Sequence, residues 1–81
     1  MSKPAEFYTT AGCPYCDAAR EDLEWRGIGF VEYDVEQDAQ AYERMLRLTG
    51  GTRVVPVIVE EGQPVQVGWM GRGCIISAPA E

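Results

Sequence analysis

The run Gly12-Cys13-Pro14-Tyr15-Cys16 constrains this chain more than any other, because the hydrophobic period changes across it. Before it, residues 5–10 (AEFYTT) carry Phe7, Tyr8 and two threonines, the pattern of a short strand. After it, the run from Pro14 to about Arg26 is rich in helix formers, with Cys16, Ala19 and Leu23 at offsets of three and four. Gly12 supplies the turn, and Pro14 fits the first turn of a helix, where its missing N–H costs nothing. Cys13 is therefore expected just before or at the first helical turn. Cys16 follows one turn later on the same face, so that the two sulfurs can meet.

The remaining elements alternate. Gly27 and Gly29 stop the first helix, and residues 30–35 (FVEYDV) read as a second strand. Residues 37–48 read as a helix, with Ala39, Tyr42, Leu46 and the following Thr49 on one stripe that ends at Gly50-Gly51. Residues 54–59 (VVPVIV) are apolar throughout, as in a buried central strand, yet include Pro56, which such a strand should reject. A turn at 60–63 leads into a hairpin partner at 64–69, and the glycines and proline beyond leave little room for a long helix. The order is β-α-β-α-β-β: a parallel right-handed crossover, a closing antiparallel hairpin, and hence an α/β fold with a mixed sheet. With 81 residues and no linker or repeat, the chain reads as a single domain, 1–81.

Chemistry at the junction must rest on sulfur, because the sequence has no histidine to act as base or ligand. The free N–H groups and positive dipole end of a helix N-terminus stabilise a thiolate at Cys13, making it the attacking sulfur. Cys16, beside Ala19 and Leu23, is expected to be part-buried, protonated and resolving. Asp17 and Glu21, close to Cys16, read as acids favoured near a helix start, with acceptance of the Cys16 proton during resolution as the alternative. A zinc site wants four ligands, and only Cys74 is available beyond the pair, so no self-contained metal site is expected; one shared across a dimer stays open. Cys74 reads as a small buried hydrophobe or an extra thiol. The tryptophans, Tyr8 and Tyr33 read as core or edge packing. A net charge of -6 without a basic run argues against nucleic acid. No apolar stretch suits a signal peptide or membrane span, so a cytoplasmic protein is expected, and the chain is read as a monomer.

Taken together, FYTTAGCPYCDAA, GIGFVEYDVEQD, GTRVVPVIV and GQPVQVGW resemble the glutaredoxin family of the thioredoxin-fold superfamily, over about residues 5 to 71. The resemblance implies a four-stranded mixed sheet with a shortened C-terminal helix. It also implies a cis Val55-Pro56 bond facing the cysteines, with the backbone of Val55 presented to an extended sulfur-bearing substrate. The implied catalytic residues are Cys13 and Cys16. The implied substrate- and glutathione-binding set is Thr10, Pro14, Tyr15, Arg53, Val54, Val55, Pro56, Trp69, Met70, Gly71 and Arg72. No cofactor is held tightly, and glutathione is a co-substrate.

The implied activity is reduction of protein or glutathione mixed disulfides, with disulfide-containing or glutathionylated proteins as partners. The family's usual lysine is replaced by Thr10, a threonine by Val54 and an acidic pair by Gly71-Arg72. Contacts to glutathione are thereby lost, although Arg53 matches a basic family position. Thioredoxin reductase is thus an alternative electron donor. An iron–sulfur carrier built from two chains and glutathione is a second alternative, which Tyr15 disfavours because cluster carriers of the family more often have smaller residues in the motif. A non-catalytic adaptor is a third.

Overall fold

Residues 3–77 are described by a computed structural model. The elements β1 (Ala5–Thr9), α1 (Pro14–Trp25), β2 (Phe30–Asp34), α2 (Ala39–Thr49), β3 (Val54–Val55), β4 (Val57–Val59), β5 (Gln66–Val67) and β6 (Cys74–Ile75) follow in turn. In the main sheet, β1 lies between a parallel β2 and an antiparallel β4, and β5 flanks β4, giving the order β2-β1-β4-β5. The mixed four-stranded α/β sheet expected from sequence is the one observed.

The register of β1 decides how the helices pack. Phe7 stands opposite Ile58, and Tyr8 opposite Val57. Successive strand residues face opposite sides, so the two pairs line opposite faces. Ala19 and Leu23 of α1 close over Phe7 and Ile58. Ala41, Tyr42 and Met45 of α2 close over Tyr8 and Val57. Each helix covers one face. The amphipathic stripe of α2 is anchored by Asp38, whose carboxylate accepts from the Gln40 and Ala41 N–H groups at 3.1 Å, and it ends at Gly50 in the left-handed conformation.

Two differences from the sequence expectation involve the C-terminal half. The apolar run 54–59 is not one strand. At Pro56 it divides into β3 and β4, and the Val55-Pro56 peptide bond is cis. Where a shortened helix is expected, residues 74–75 instead form β6, which pairs antiparallel with β3, Val54 opposite Ile75 and Val55 opposite Cys74. A tight turn aims the chain for this return: Trp69 and Arg72 exchange backbone hydrogen bonds of 2.6 and 2.9 Å around Met70 and Gly71, both at positive φ. Trp25, expected to pack, is 89% exposed at the end of α1.

Past β6 the chain is held by one apolar and two polar contacts. Ile76 is buried and donates its N–H to the Arg53 carbonyl at 2.9 Å. Glu36 accepts from the Thr10 hydroxyl and from the Ser77 N–H. Those two donors hold its carboxyl below the ordinary value, the Thr10 hydroxyl contributing most. A depressed carboxyl stabilises the fold above the ordinary carboxylate range and loses that contribution as pH falls through its folded value.

Glu36→Ala should therefore speed amide exchange at Ile76 and Ser77 relative to Val57 at neutral pH, by NMR, with the difference between the two proteins closing on acidification. Leu23→Ala should cost about 3 kcal/mol in denaturant unfolding. Asp38→Ala should cost about 1 kcal/mol in the same measurement, as expected for a lost N-cap.

Candidate functional site

Cys13 is the N-cap residue of α1, with extended backbone, and Pro14 opens the helix. Its carbonyl accepts from Asp17 N–H at 3.1 Å, the first helical bond, while its side chain makes no capping hydrogen bond. The sulfur is thus not spent on capping, at a helix start whose N–H groups lack intrahelical partners. Cys13 and Cys16 are both buried, in one cluster with Val55 and Val57, the residues flanking Pro56. The strand-to-helix junction and the cis-proline loop therefore meet, and Tyr15 packs half-buried against the same cluster.

The bonded partner of Cys13 is not Cys16. Cys13 forms a disulfide with Cys74, across 61 residues and a Cα separation of 6.2 Å, while Cys16 is a free thiol. Cys16 lies in the same buried cluster as Cys13, and the disulfide partner is delivered by β6. Its register sets Cys74 opposite Val55, and Val55 lies in the cluster that holds Cys13. Burial pushes the Cys16 thiol above its ordinary value. A hydrogen bond from the Thr10 backbone and the charge of Arg20 pull the other way, while Asp17 and Glu32 add to the rise. Arg20 is itself tied to Asp17 at 2.8 Å and to Glu32. Cys16 is thus held protonated, as its neighbours in sequence suggested.

The other predicted residues divide. Pro14, Tyr15, Val54, Val55 and Pro56 surround or adjoin the cysteine cluster. Thr10 is nearly buried and spends its hydroxyl on Glu36. Arg53 is exposed beside β3, its carbonyl engaged by Ile76. Trp69 packs instead against the cluster of Phe7 and Leu23, under α1. Met70, Gly71 and Arg72 form the exposed turn that returns the chain to β6. Two residues were missed. Glu36 gave no signal beyond lying in an acidic loop. Gly73 gave none beyond its type: a Cβ there would lie 2.5 Å from Val54 Cγ1 and 2.6 Å from the Val55 carbonyl oxygen, so only glycine lets the chain approach β3. Among the described residues, no cluster of three or more His, Cys, Asp or Glu side chains is arranged to hold a metal.

The chain is similar in sequence and fold to known proteins. A probable glutaredoxin of Synechocystis is 38% identical over 60 residues, covering 74% of this chain and 55% of that protein. Glutaredoxin 3 of Escherichia coli K12 is 33% identical over 55 residues, covering 68% of this chain and 66% of that one. The chain thus spans little more than half the length of the first relative and just under two-thirds of the second. The crystal structure of a mutant thioredoxin-like protein superposes with a TM-score of 0.74 at 31% identity, covering 84% of this chain and 85% of its own. The family model for glutaredoxin matches residues 5–65, from the first strand past the cis-proline, and by that match the chain belongs to the glutaredoxin family.

Proposed function

We propose that the chain is a thiol–disulfide oxidoreductase that reduces mixed disulfides of proteins or small thiols with glutathione, Cys13 being the attacking sulfur. One observation carries this reading: Cys13 caps a helix start, packs beside the cis-proline loop and already takes part in a disulfide. A sulfur at such a helix start is favoured as thiolate, the form that attacks and leaves. The Cys13 thiolate attacks one sulfur of the substrate disulfide, a new S–S bond forms, and the other sulfur departs as thiolate and takes a proton from water. A second thiol, Cys16 or glutathione, then attacks the mixed disulfide and frees Cys13.

Glutathione carries two carboxylates and an ammonium. Arg53 and Arg72, both exposed, are the cations on offer for the carboxylates. Thr10 supplies no charge where the family has a lysine, and its hydroxyl is committed to Glu36. The reading therefore keeps thioredoxin reductase as the alternative electron source. It places the protein in the cytoplasm, where thiols are kept reduced; no helix among the described residues is long and apolar enough to cross a membrane.

In an assay coupling NADPH, glutathione reductase and glutathione to a small glutathione mixed disulfide, turnover is expected to depend on Cys13. Cys13→Ser should lower it by about two orders of magnitude or more, because a hydroxyl is not a nucleophile without a base. Full activity in that variant would overturn the reading, and turnover only with thioredoxin reductase would reassign the donor. In the reduced protein at neutral pH, iodoacetamide should label Cys16 far more slowly than in the denatured chain, read by quench and mass, as its burial and raised thiol value require.

A further inference from the structure

We propose that Cys74 is the resolving thiol of this chain, carried to Cys13 on a strand that also closes the edge where an extended substrate would pair. The inference rests on the reading of Cys13 as the attacking sulfur and goes beyond it by assigning the second half of the reaction.

Backbone contacts deliver Cys74 to this position, apart from any bond between the sulfurs. The β6 ladder sets it opposite Val55, and Ile76 N–H reaches the Arg53 carbonyl at 2.9 Å. Buried Ile76 and the Ser77–Glu36 hydrogen bond tie down the chain immediately beyond. Gly73, on the other side, is the residue type that fits against Val54 and the Val55 carbonyl. The Cα separation of Cys13 and Cys74, 6.2 Å, lies in the range a disulfide spans. Cys16, the alternative resolver, is fully buried. That burial also raises its thiol above the ordinary value, which lowers its share of thiolate, the attacking form.

The same geometry gives β6 a second role. An extended peptide that pairs with the backbone of Val55 needs the edge that Cys74 and Ile75 now occupy. Substrate and β6 therefore compete for one edge. Substrate binds with β6 displaced. The Cys13 thiolate then attacks the sulfur of the glutathione moiety, the substrate–glutathione S–S bond breaks, the substrate sulfur leaves as thiolate and a Cys13–glutathione mixed disulfide remains. Cys74 loses its proton to water and attacks Sγ of Cys13. The bond to glutathione breaks, glutathione leaves as thiolate and is protonated, and the Cys13–Cys74 disulfide forms as β6 settles. Two equivalents of a monothiol, or one dithiol, supply the two electrons that restore both thiols. A thiol on the same chain acts at high effective concentration, so this second step outruns attack by a thiol from solution.

The sequence provides a clean test. Trypsin cuts after Arg20 and Arg72, leaving Cys13 and Cys16 on one peptide and Cys74 on another. Reduced wild-type protein given one equivalent of glutathione disulfide, quenched in acid, alkylated and digested should yield the two peptides joined, with Cys16 alkylated. An internal bond in the first peptide with Cys74 alkylated would overturn the proposal, and this arm requires no variant. In Cys16→Ser, the glutathione adduct on Cys13 should decay about tenfold or more faster than in Cys16→Ser/Cys74→Ser, by intact mass. Equal lifetimes would overturn the role of Cys74 while leaving Cys13 as the attacking sulfur. No adduct in the double variant would remove Cys13 from that role, and the present proposal with it.

Discussion

Everything at this site depends on the packing of the start of α1 against the two valines that flank Pro56. Cys13 and Cys16 are buried with Val55 and Val57, so the helix start cannot shift without opening the core. Protein interiors are close-packed and transmit such constraints rather than absorbing them. Apolar burial thereby positions the helix start and its two sulfurs, and the Cys13 side chain makes no capping hydrogen bond.

The break at Pro56 determines what the C-terminal segment can do. β4 stays in the main sheet beside β1, while β3 leaves it and becomes half of a separate two-stranded sheet with β6. An unbroken strand would have kept Val54 and Val55 in the main sheet. The return of β6 takes the chain from the exposed turn at Met70-Gly71 to the interior at Ile76 within a few residues. Ile75, between Cys74 and Ile76, points outward and is 84% exposed, as strand alternation requires.

Local chemistry was legible from sequence, and distant chemistry was not. Proline and cysteines at a strand-to-helix junction, glycines after helices and the period of Ala19 and Leu23 all act within a few residues, and both helices and the main strands follow them. The cis Val55-Pro56 bond was reached through family resemblance, since a proline in an apolar run says only that the strand is unusual. The Cys13–Cys74 pairing spans 61 residues and depends on the two-residue ladder between β3 and β6, too short to leave a periodic signal. The glycines before Cys74 say only that a long helix has little room there, whereas the close approach at Gly73 exists only once Val54 is in place. Trp25 was expected to pack because large aromatics usually do, but α1 ends there, beyond the sheet it covers.

The bond that joins the first helix to the last strand also has a thermodynamic reach. Closing a loop of 61 residues removes conformational freedom from the denatured chain, worth about 4 kcal/mol in the chain-entropy model. For a domain of this size that is a large part of a typical folding free energy. Oxidation state and fold stability are thereby linked in both directions. The oxidised molecule resists unfolding more than the reduced one, and the native fold favours the Cys13–Cys74 bond by the same amount relative to an unfolded chain. A reductant acting on this protein works against the fold as well as against the sulfur bond.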